Sequence, residues 1–359
     1  MTTTLLYITY FLICMFLSFM INWLLLKFSK SLGVRSNQEL NQVRWSADVK
    51  PSLGGLSFFI VFLISVAALG FVPDSIEKLA SNEKFIGIMA ASTLGFIIGL
   101  ADDAYNTNPL VKFIGQLSCA FILIFSNLYI VATGNLAFDY LITVLWVVGL
   151  MNSINMLDNM DGITTTSSIV ILIGALCIAY FSNLDSPAIF LLIIGVLASL
   201  FGFLYFNWNP AKMYMGDTGS QFLGVFLAAS SILLFWNERD SVSGIIQVKQ
   251  FILPLLIFTV PLMDTLTVFA RRLLKKQSPF VGGKDHTTHH LVFFGFSEKQ
   301  AALILISIAL LSLAFAVSLY TGFIAWTIWT SILAIVYFFV VFTLMQIVYN
   351  IGKKRQQNG

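Results

Sequence analysis

Charge is what this 359-residue chain has least of. Asp, Glu, Lys and Arg make up 10% of it, where a soluble domain carries about 25%. Hydrophobic residues make up 58%, and the mean hydropathy is +0.88. A water-facing fold cannot hide that much apolar surface in its core, so lipid must be the solvent for most of it. The net charge of +3, with no long basic block, excludes nucleic acid as a partner. Cysteine is also scarce: Cys14, Cys119 and Cys177 each sit in an apolar run, without metal-ligand spacing. That excludes a disulfide framework or a thiolate metal centre and leaves packing as their expected role. No basic stretch precedes the first apolar run, so a cleavable signal peptide is not expected. Instead the run from Leu5 to Leu26, followed by Lys27, reads as a first span with the N-terminus outside. The chain shows no internal repeat, no low-complexity tract and no soluble domain.

What is present is a series of long apolar runs. A span needs about 20 largely apolar residues. Eleven candidates lie near 5–27, 52–72, 85–101, 111–131, 138–156, 164–182, 188–206, 219–236, 250–272, 301–320 and 325–348. The 85–101 run is the shortest. Pro254 and Pro261 are expected to kink the ninth. With the N-terminus outside, 16 of the 20 Lys and Arg fall on the inner side, the bias expected of cytoplasmic loops. The expected fold is therefore all-α: one polytopic integral-membrane domain over residues 1–359, with about eleven transmembrane helices and a cytoplasmic C-terminus. Its cytoplasmic loops are expected near 28–51, 102–110, 157–163, 207–218 and 273–300. The last is broken by Pro279, Gly282 and Gly283 and has room for one short helix.

Four polar motifs fall on that inner side. The first is Asp102-Asp103, two like charges that repel unless a cation is near. Lys112 follows, either an anchor at the membrane edge or a phosphate ligand. The second is Asn155, Asp158 and Asp161, spaced three apart along one helical side and ended by Gly162. It is not an EF-hand loop, whose first and twelfth positions would be Leu157 and Ser168 rather than acids. Ionisable groups at membrane depth are costly and point to function. The third runs from Asn207 through Lys212 to Met215-Gly216-Asp217-Thr218-Gly219. Asp217 there suits either a helix N-cap or a metal ligand beside free helical N–H groups. The fourth is Asp285-His286-Thr-Thr-His289-His290, which holds every histidine of the chain. Zinc is one reading of it; a hydrogen-bonding patch for phosphate or sugar is the other. Asp264 and Arg271, two turns apart, form either an ion pair or a site wall. Oxygen donors without sulfur favour Mg²⁺, with Mn²⁺ as the alternative. Mg²⁺ takes one or two carboxylates and fills its shell with water and substrate phosphates. The set fits the handling of a diphosphate.

In this order, DD, NxxNxxDxxDG, NxxPAKxxMGDTG and HxxHH resemble the polyprenyl-phosphate N-acetylhexosamine-1-phosphate transferases. The likeness runs from Pro51-Ser-Leu-Gly54-Gly55 to His290, and the HxxHH form is closer to the N-acetylglucosamine branch than to the muramyl-pentapeptide branch. The resemblance implies transfer of an N-acetylhexosamine 1-phosphate, GlcNAc first among them, from a UDP-sugar to undecaprenyl phosphate. UMP is released, and the step opens a cell-envelope polysaccharide pathway at the cytoplasmic face of a bacterial inner membrane. It implies Asp217 as the main Mg²⁺ ligand with Asn155 beside it. Asp102, Asp103, Asp158 and His290 form the catalytic set, in which one of the paired aspartates takes a proton from the lipid phosphate. Lys112 is implied on phosphate, Asp161 and Asn207 near uridine, and His286, His289 and Arg271 on diphosphate or sugar. A homodimer is compatible with the family. Two departures stand out. Arg44-Trp-Ser-Ala47 lacks the His of the usual Arg-x-x-His, which leaves Arg44 and Lys50 without a role. Asp158-Asn159-Met160-Asp161 replaces Asp-Gly-x-Asp but keeps both acids.

Two rival readings place the same acids differently. A transporter would bind near the bilayer midplane, often in repeated halves, whereas these acids sit at helix ends. A lipid-phosphate transferase using another nucleotide donor would share the motifs and differ in the product released.

Overall fold

The computed structural model describes residues 3–29, 50–71, 82–184, 186–237, 248–274, 276 and 286–358. Every regular element among them is a helix. The chain runs as α1 (Thr3–Phe28), α2 (Gly54–Ala68), α3 (Glu83–Tyr105), α4 (Pro109–Phe125), α5 (Leu136–Leu157), α6 (Ile163–Phe181) and α7 (Pro187–Asn207). It continues as α8 (Gly216–Ser231), α9 (Val248–Ile257), α10 (Thr259–Leu274), α11 (Thr287–Phe294), α12 (Glu298–Tyr320) and α13 (Ile328–Asn358). A π-helical turn, Ile232–Trp236, prolongs α8.

Among the described residues, nine helices are long and apolar enough to cross a membrane, or ten if α9 and α10 form one span. The expectation of eleven departs from this at 111–131. That run yields only the 17-residue α4, because Ser126 and Asn127, the latter at φ 55°, turn the chain away. The run expected to be shortest, 85–101, is instead a 23-residue helix. Asn82 extends its start by accepting from the Phe85 N–H at 3.2 Å. The proline kink is present: α9 and α10 meet at 85°. Pro261 cannot donate to the Ile257 carbonyl, so the ladder breaks there. The short helix expected inside 273–300 is α11.

The helices sort by how much of each is enclosed. α8 lies at the centre, packed on α2, α3, α5 and α6, and its residues from Thr218 to Ser231 are all buried. α1 and α13 are peripheral and expose Leu12, Phe16, Leu333 and Phe339, as faces turned to lipid do. Lipid supplies no hydrophobic force between helices, so small residues and hydrogen bonds must fix their contacts. Ser18 on α1 donates to the Ser199 carbonyl of α7 at 2.7 Å, and Asn22 donates to Ser57 of α2 at 2.9 Å. Hydrogen bonds and ion pairs join the ends of these helices across the bundle. The polar motifs therefore gather at the C-terminal ends of α3, α5 and α7 and the N-terminal ends of α4, α6 and α8.

Candidate active site

Local sequence explains why these ends are shaped as they are. α3 stops at Asn106, which takes the left-handed conformation at φ 51°. Two residues on, Asn108 accepts from the Leu110 N–H at 2.9 Å and starts α4, with Pro109 in its first turn. Only three residues separate α3 from α4, so Asp102 and Lys112 face each other across a tight turn. At the end of α5, the Asp158 N–H donates to the Asn155 carbonyl at 3.3 Å. Gly162, at φ +75°, then reverses the chain into α6.

The centre of the site is a charged knot from four helices. Lys112 Nζ lies 2.7 Å from Asp102 Oδ2 and 3.2 Å from Asp217 Oδ2. Asp102 also accepts from the Thr107 N–H at 2.9 Å and its hydroxyl at 2.6 Å. Asn155 Nδ2 donates to the other oxygen of Asp217 and, at 2.9 Å, to Ser220 Oγ. Asp217 keeps 28% of its side chain exposed, against 10% for Asp102 and 16% for Lys112, so of the two carboxylates on Lys112 it is the more open to a ligand. Asp103 has a different task. It accepts from the N–H groups of Asp217 at 3.0 Å and Thr218 at 2.8 Å, and from the Thr218 hydroxyl at 2.6 Å. It thus caps α8 from another helix, satisfying N–H groups that a helix start leaves open. The side chain that caps α8 is therefore Asp103, and the Asp217 side chain points at Lys112 and Asn155.

Close backbone contacts hold this arrangement. Gly54 and Gly55 N–H groups donate to the Tyr214 and Met215 carbonyls at 3.0 Å, and Tyr214 N–H donates to the Pro51 carbonyl at 2.9 Å. A Cβ on Gly99 would overlap the Asp217 carbonyl oxygen, and one on Gly55 would overlap the backbone of Gly219. The Gly-Gly pair after Pro51 is therefore a seat for the start of α8.

Around the knot the remaining expected residues form two further groups. Asp161 accepts from the Ala211 N–H at 2.8 Å and Asn209 Nδ2 at 3.1 Å, with Lys50 Nζ at 3.9 Å. Asn207 is buried, with Thr165 donating to its oxygen at 2.6 Å and its own amide donating to the Met213 carbonyl at 3.1 Å. One end of its amide braces the 208–215 turn and the other ties α7 to α6. The histidines form the second group. His286 precedes α11 with Nδ1 2.9 Å from Asp264 Oδ2, and the Thr287 N–H donates to Asp264 Oδ1 at 2.8 Å. The His289 ring meets His286 edge-on at 5.5 Å, while His290 turns toward Tyr349 of α13 at 3.9 Å. The three rings thus have different neighbours, although the sequence spacing puts them on one face. Thr288 donates to Asn159 at 2.6 Å and ties α11 to the Asp158–Asp161 turn. The ion pair considered for Asp264 and Arg271 is not formed: His286 takes Asp264, and Arg271 donates to Gln346 and lies on the Tyr349 ring. Arg44 and Asp285 lie outside the described residues.

Sequence reading missed Thr107, Thr218 and Ser220, which hydrogen-bond the acids, and Gln346, which holds Arg271. Common polar residues at irregular spacing leave no pattern to find them by. Among the described residues no three His, Cys, Asp or Glu side chains converge as a metal cage. Two carboxylates nonetheless share one ammonium, and a third, Asp103, lies against the backbone of Asp217, so the acids outnumber the one cation. The donors are oxygen, which suits a hard divalent cation that keeps water and substrate phosphates in its shell.

Comparison with known proteins agrees with this geometry. The model of glycosyl transferase family 4 matches residues 85–235, the stretch that carries the knot from Asp102 to Asp217. The chain is 30% identical over 310 residues to a probable undecaprenyl-phosphate N-acetylglucosaminyl 1-phosphate transferase of Bacillus subtilis strain 168, covering 84% of this chain and 80% of that protein. It is 28% identical over 279 residues to the decaprenyl-phosphate N-acetylglucosaminephosphotransferase of Mycobacterium leprae, covering 71% and 69% of the two chains. A phospho-N-acetylmuramoyl-pentapeptide-transferase of Staphylococcus haemolyticus is 32% identical over 288 residues, covering 73% of this chain and 82% of its own. With that identity sustained over four fifths of a relative's length and the family's matched stretch containing the charged knot, this multi-pass membrane protein belongs to glycosyl transferase family 4.

Proposed function

We propose that the protein transfers N-acetylglucosamine 1-phosphate from UDP-GlcNAc to undecaprenyl phosphate at the cytoplasmic face of a bacterial inner membrane. The observation that carries the reading is the meeting of Asp102, Lys112, Asn155 and Asp217 at one end of an apolar bundle. There a soluble donor and a lipid acceptor can share one site. The printed activities of the relatives from Bacillus and Mycobacterium support the same substrates, and the 16 inner Lys and Arg support the cytoplasmic side.

In the reaction a phosphate oxygen of the lipid attacks the β-phosphorus of the UDP-sugar. The bond from that phosphorus to the bridging oxygen breaks, UMP leaves, and a lipid diphosphate sugar forms. Positioning and charge neutralisation do most of the work in phosphoryl transfer. Lys112, held between two carboxylates, supplies a fixed positive charge for a phosphate oxygen. Asp217 is the residue to hold Mg²⁺, with Asn155 orienting its carboxylate and Asp102 within reach. The cation, when bound, offsets charge on the diphosphate and the leaving UMP. Asp103 orients Asp217 through the backbone of α8, and one aspartate of the Asp102-Asp103 pair is the candidate to accept a lipid-phosphate proton. Asp161 and the 207–215 turn form the wall assigned to the nucleotide. His286, His289, His290 and Arg271, joined through α11 and α13, form the wall assigned to diphosphate and sugar, with Asp158 and Asn159 between.

The test is UMP release by purified protein with Mg²⁺, undecaprenyl phosphate and a panel of UDP-sugars. Release with UDP-GlcNAc is expected. Absence of UMP with every UDP-N-acetylhexosamine would sink the reading. Release of CMP from a CDP-activated lipid donor, offered in place of the UDP-sugars, would favour the alternative reading.

A further inference from the structure

Below the charged knot lies a second polar layer without charge. Each of three helices that carries a knot residue carries an amide one turn deeper. Gln116 follows Lys112 by four residues on α4, Asn152 precedes Asn155 by three on α5, and Gln221 follows Asp217 by four on α8. Gln116 and Gln221 are 1% and 0% exposed. Asn152 Nδ2 donates to the Val148 carbonyl and to Gln116 Oε1, both at 2.8 Å. Gln116 Nε2 donates to Gln221 Oε1 at 3.0 Å and to Asn152 Oδ1 at 3.3 Å.

The direction of this chain of bonds follows from its first member. A backbone carbonyl can only accept, so Val148 fixes which end of the Asn152 amide is the donor. Gln116 must then present its oxygen to Asn152 and its nitrogen to Gln221, and Gln221 must present its oxygen to Gln116. Gln221 Nε2 is thereby left enclosed, with no hydrogen-bond partner among the described residues. An enclosed amide donor without a partner is costly, and an apolar side chain of the same shape would avoid that cost. Stability alone gives no reason for three amides at this depth. Their bonds do one thing that apolar side chains cannot. Lipid-embedded helices have no hydrophobic force to fix their axial register, and a slip of one residue moves a helix by about 1.5 Å. Such a slip would undo contacts of 2.7 and 3.2 Å between Lys112 and its two carboxylates.

We infer that Gln116, Asn152 and Gln221 are positioning residues, a directed amide clamp. The clamp sets the register of α4, α5 and α8 so that Lys112, Asn155 and Asp217 meet in reactive geometry. This rests on the transferase reading above. The amides touch neither substrate nor cation; they act through the residues one turn away.

The experiment compares the wild type with Gln116→Met, Gln221→Met and the double variant, methionine keeping the shape of glutamine without its hydrogen bonds. UMP release gives kcat and KM, and the thermal midpoint of the purified protein reports the fold. Loss of the clamp is expected to lower kcat by about 10- to 100-fold, the scale of a misplacement near 1 Å. KM for the UDP-sugar should change by less than about threefold, since contacts made equally in ground and transition states are kept. The thermal midpoint of the double variant should be unchanged or raised. Both single variants break the same Gln116–Gln221 bond, so the double variant should lose no more than the worse single. Wild-type kcat in the variants overturns the inference, and so does a loss of kcat that only follows a lowered thermal midpoint. A wild-type protein that releases no UMP would instead defeat the underlying reading.

Discussion

Among single residues, the knot predicts unequal costs for Asp217, Lys112 and Asp103. Asp217 is more exposed than Asp102 and is the carboxylate shared by Lys112 and Asn155. Asp217→Ala is expected to abolish Mg²⁺-dependent turnover, a fall of at least about 10³-fold in kcat; UMP release checks it, and retained turnover would remove the assigned role. Lys112→Met leaves Asp102 and Asp217 facing one another without the ammonium between them. Its kcat should fall by about 100-fold or more, in the same assay. Asp103 separates from both because its bonds go to the backbone of α8. Asp103→Ala should therefore cost stability, roughly 1–2 kcal/mol as for other lost caps, seen as a lower thermal midpoint alongside reduced turnover. The pair Asp102-Asp103 was legible in the sequence as acidic, but not as two different jobs. Adjacent residues on a helix point about 100° apart, and only the neighbours of α3 decide what each meets.

The next scale is the seat of one helix on another. α8 rests its first turn on α2 and α3 through glycines, and the absence of a side chain is what brings Asp217 within reach of the knot. Gly99→Ala should push the Asp217 carbonyl away, lowering both the thermal midpoint and turnover. Gly149 on α5 is the matched control, since nothing lies within 4 Å of where its Cβ would stand. Gly149→Ala should be neutral or slightly stabilising, by up to about 1 kcal/mol, because alanine costs less helix entropy. Measuring both variants side by side separates a packing requirement from a general intolerance of alanine. The helix boundaries themselves were largely readable from hydropathy. α3 and α4 were the exception: α3 runs past its apolar stretch through Asp102 and Asp103 before the left-handed Asn106 ends it, and the left-handed Asn127 ends α4 inside a run that turns apolar again at Leu128.

Over the whole molecule, the alternation of helices assigns opposite ends to opposite sides of a bilayer. Tyr105, 79% exposed, stands beside the knot, and Phe323, 87% exposed, stands in the turn between α12 and α13 at the other end. Single cysteines at these positions, with Cys177 replaced by Ser, test the orientation. A membrane-impermeant maleimide applied to intact cells should label Phe323→Cys and spare Tyr105→Cys until the membrane is opened. The reverse pattern would turn the protein over and place the site outside. Cys14 and Cys119 are buried and should contribute no background.

Sequence alone determined that this chain lives in lipid, that it is a series of apolar helices, and that its polar motifs fall at helix ends. Those conclusions need only hydropathy, span length and the bias of Lys and Arg, which are sums over residues. The motif order determined the family for the same reason, since it survives without coordinates. Tertiary structure decided which groups touch: Lys112 on two acids at once, His286 rather than Arg271 on Asp264, and Asp103 on the start of α8. It also decided that Gln116, Asn152 and Gln221 share one layer. Such pairings join residues as many as 115 positions apart, and no local pattern carries them. They depend on the rotation and register of packed helices, which hydropathy averages away.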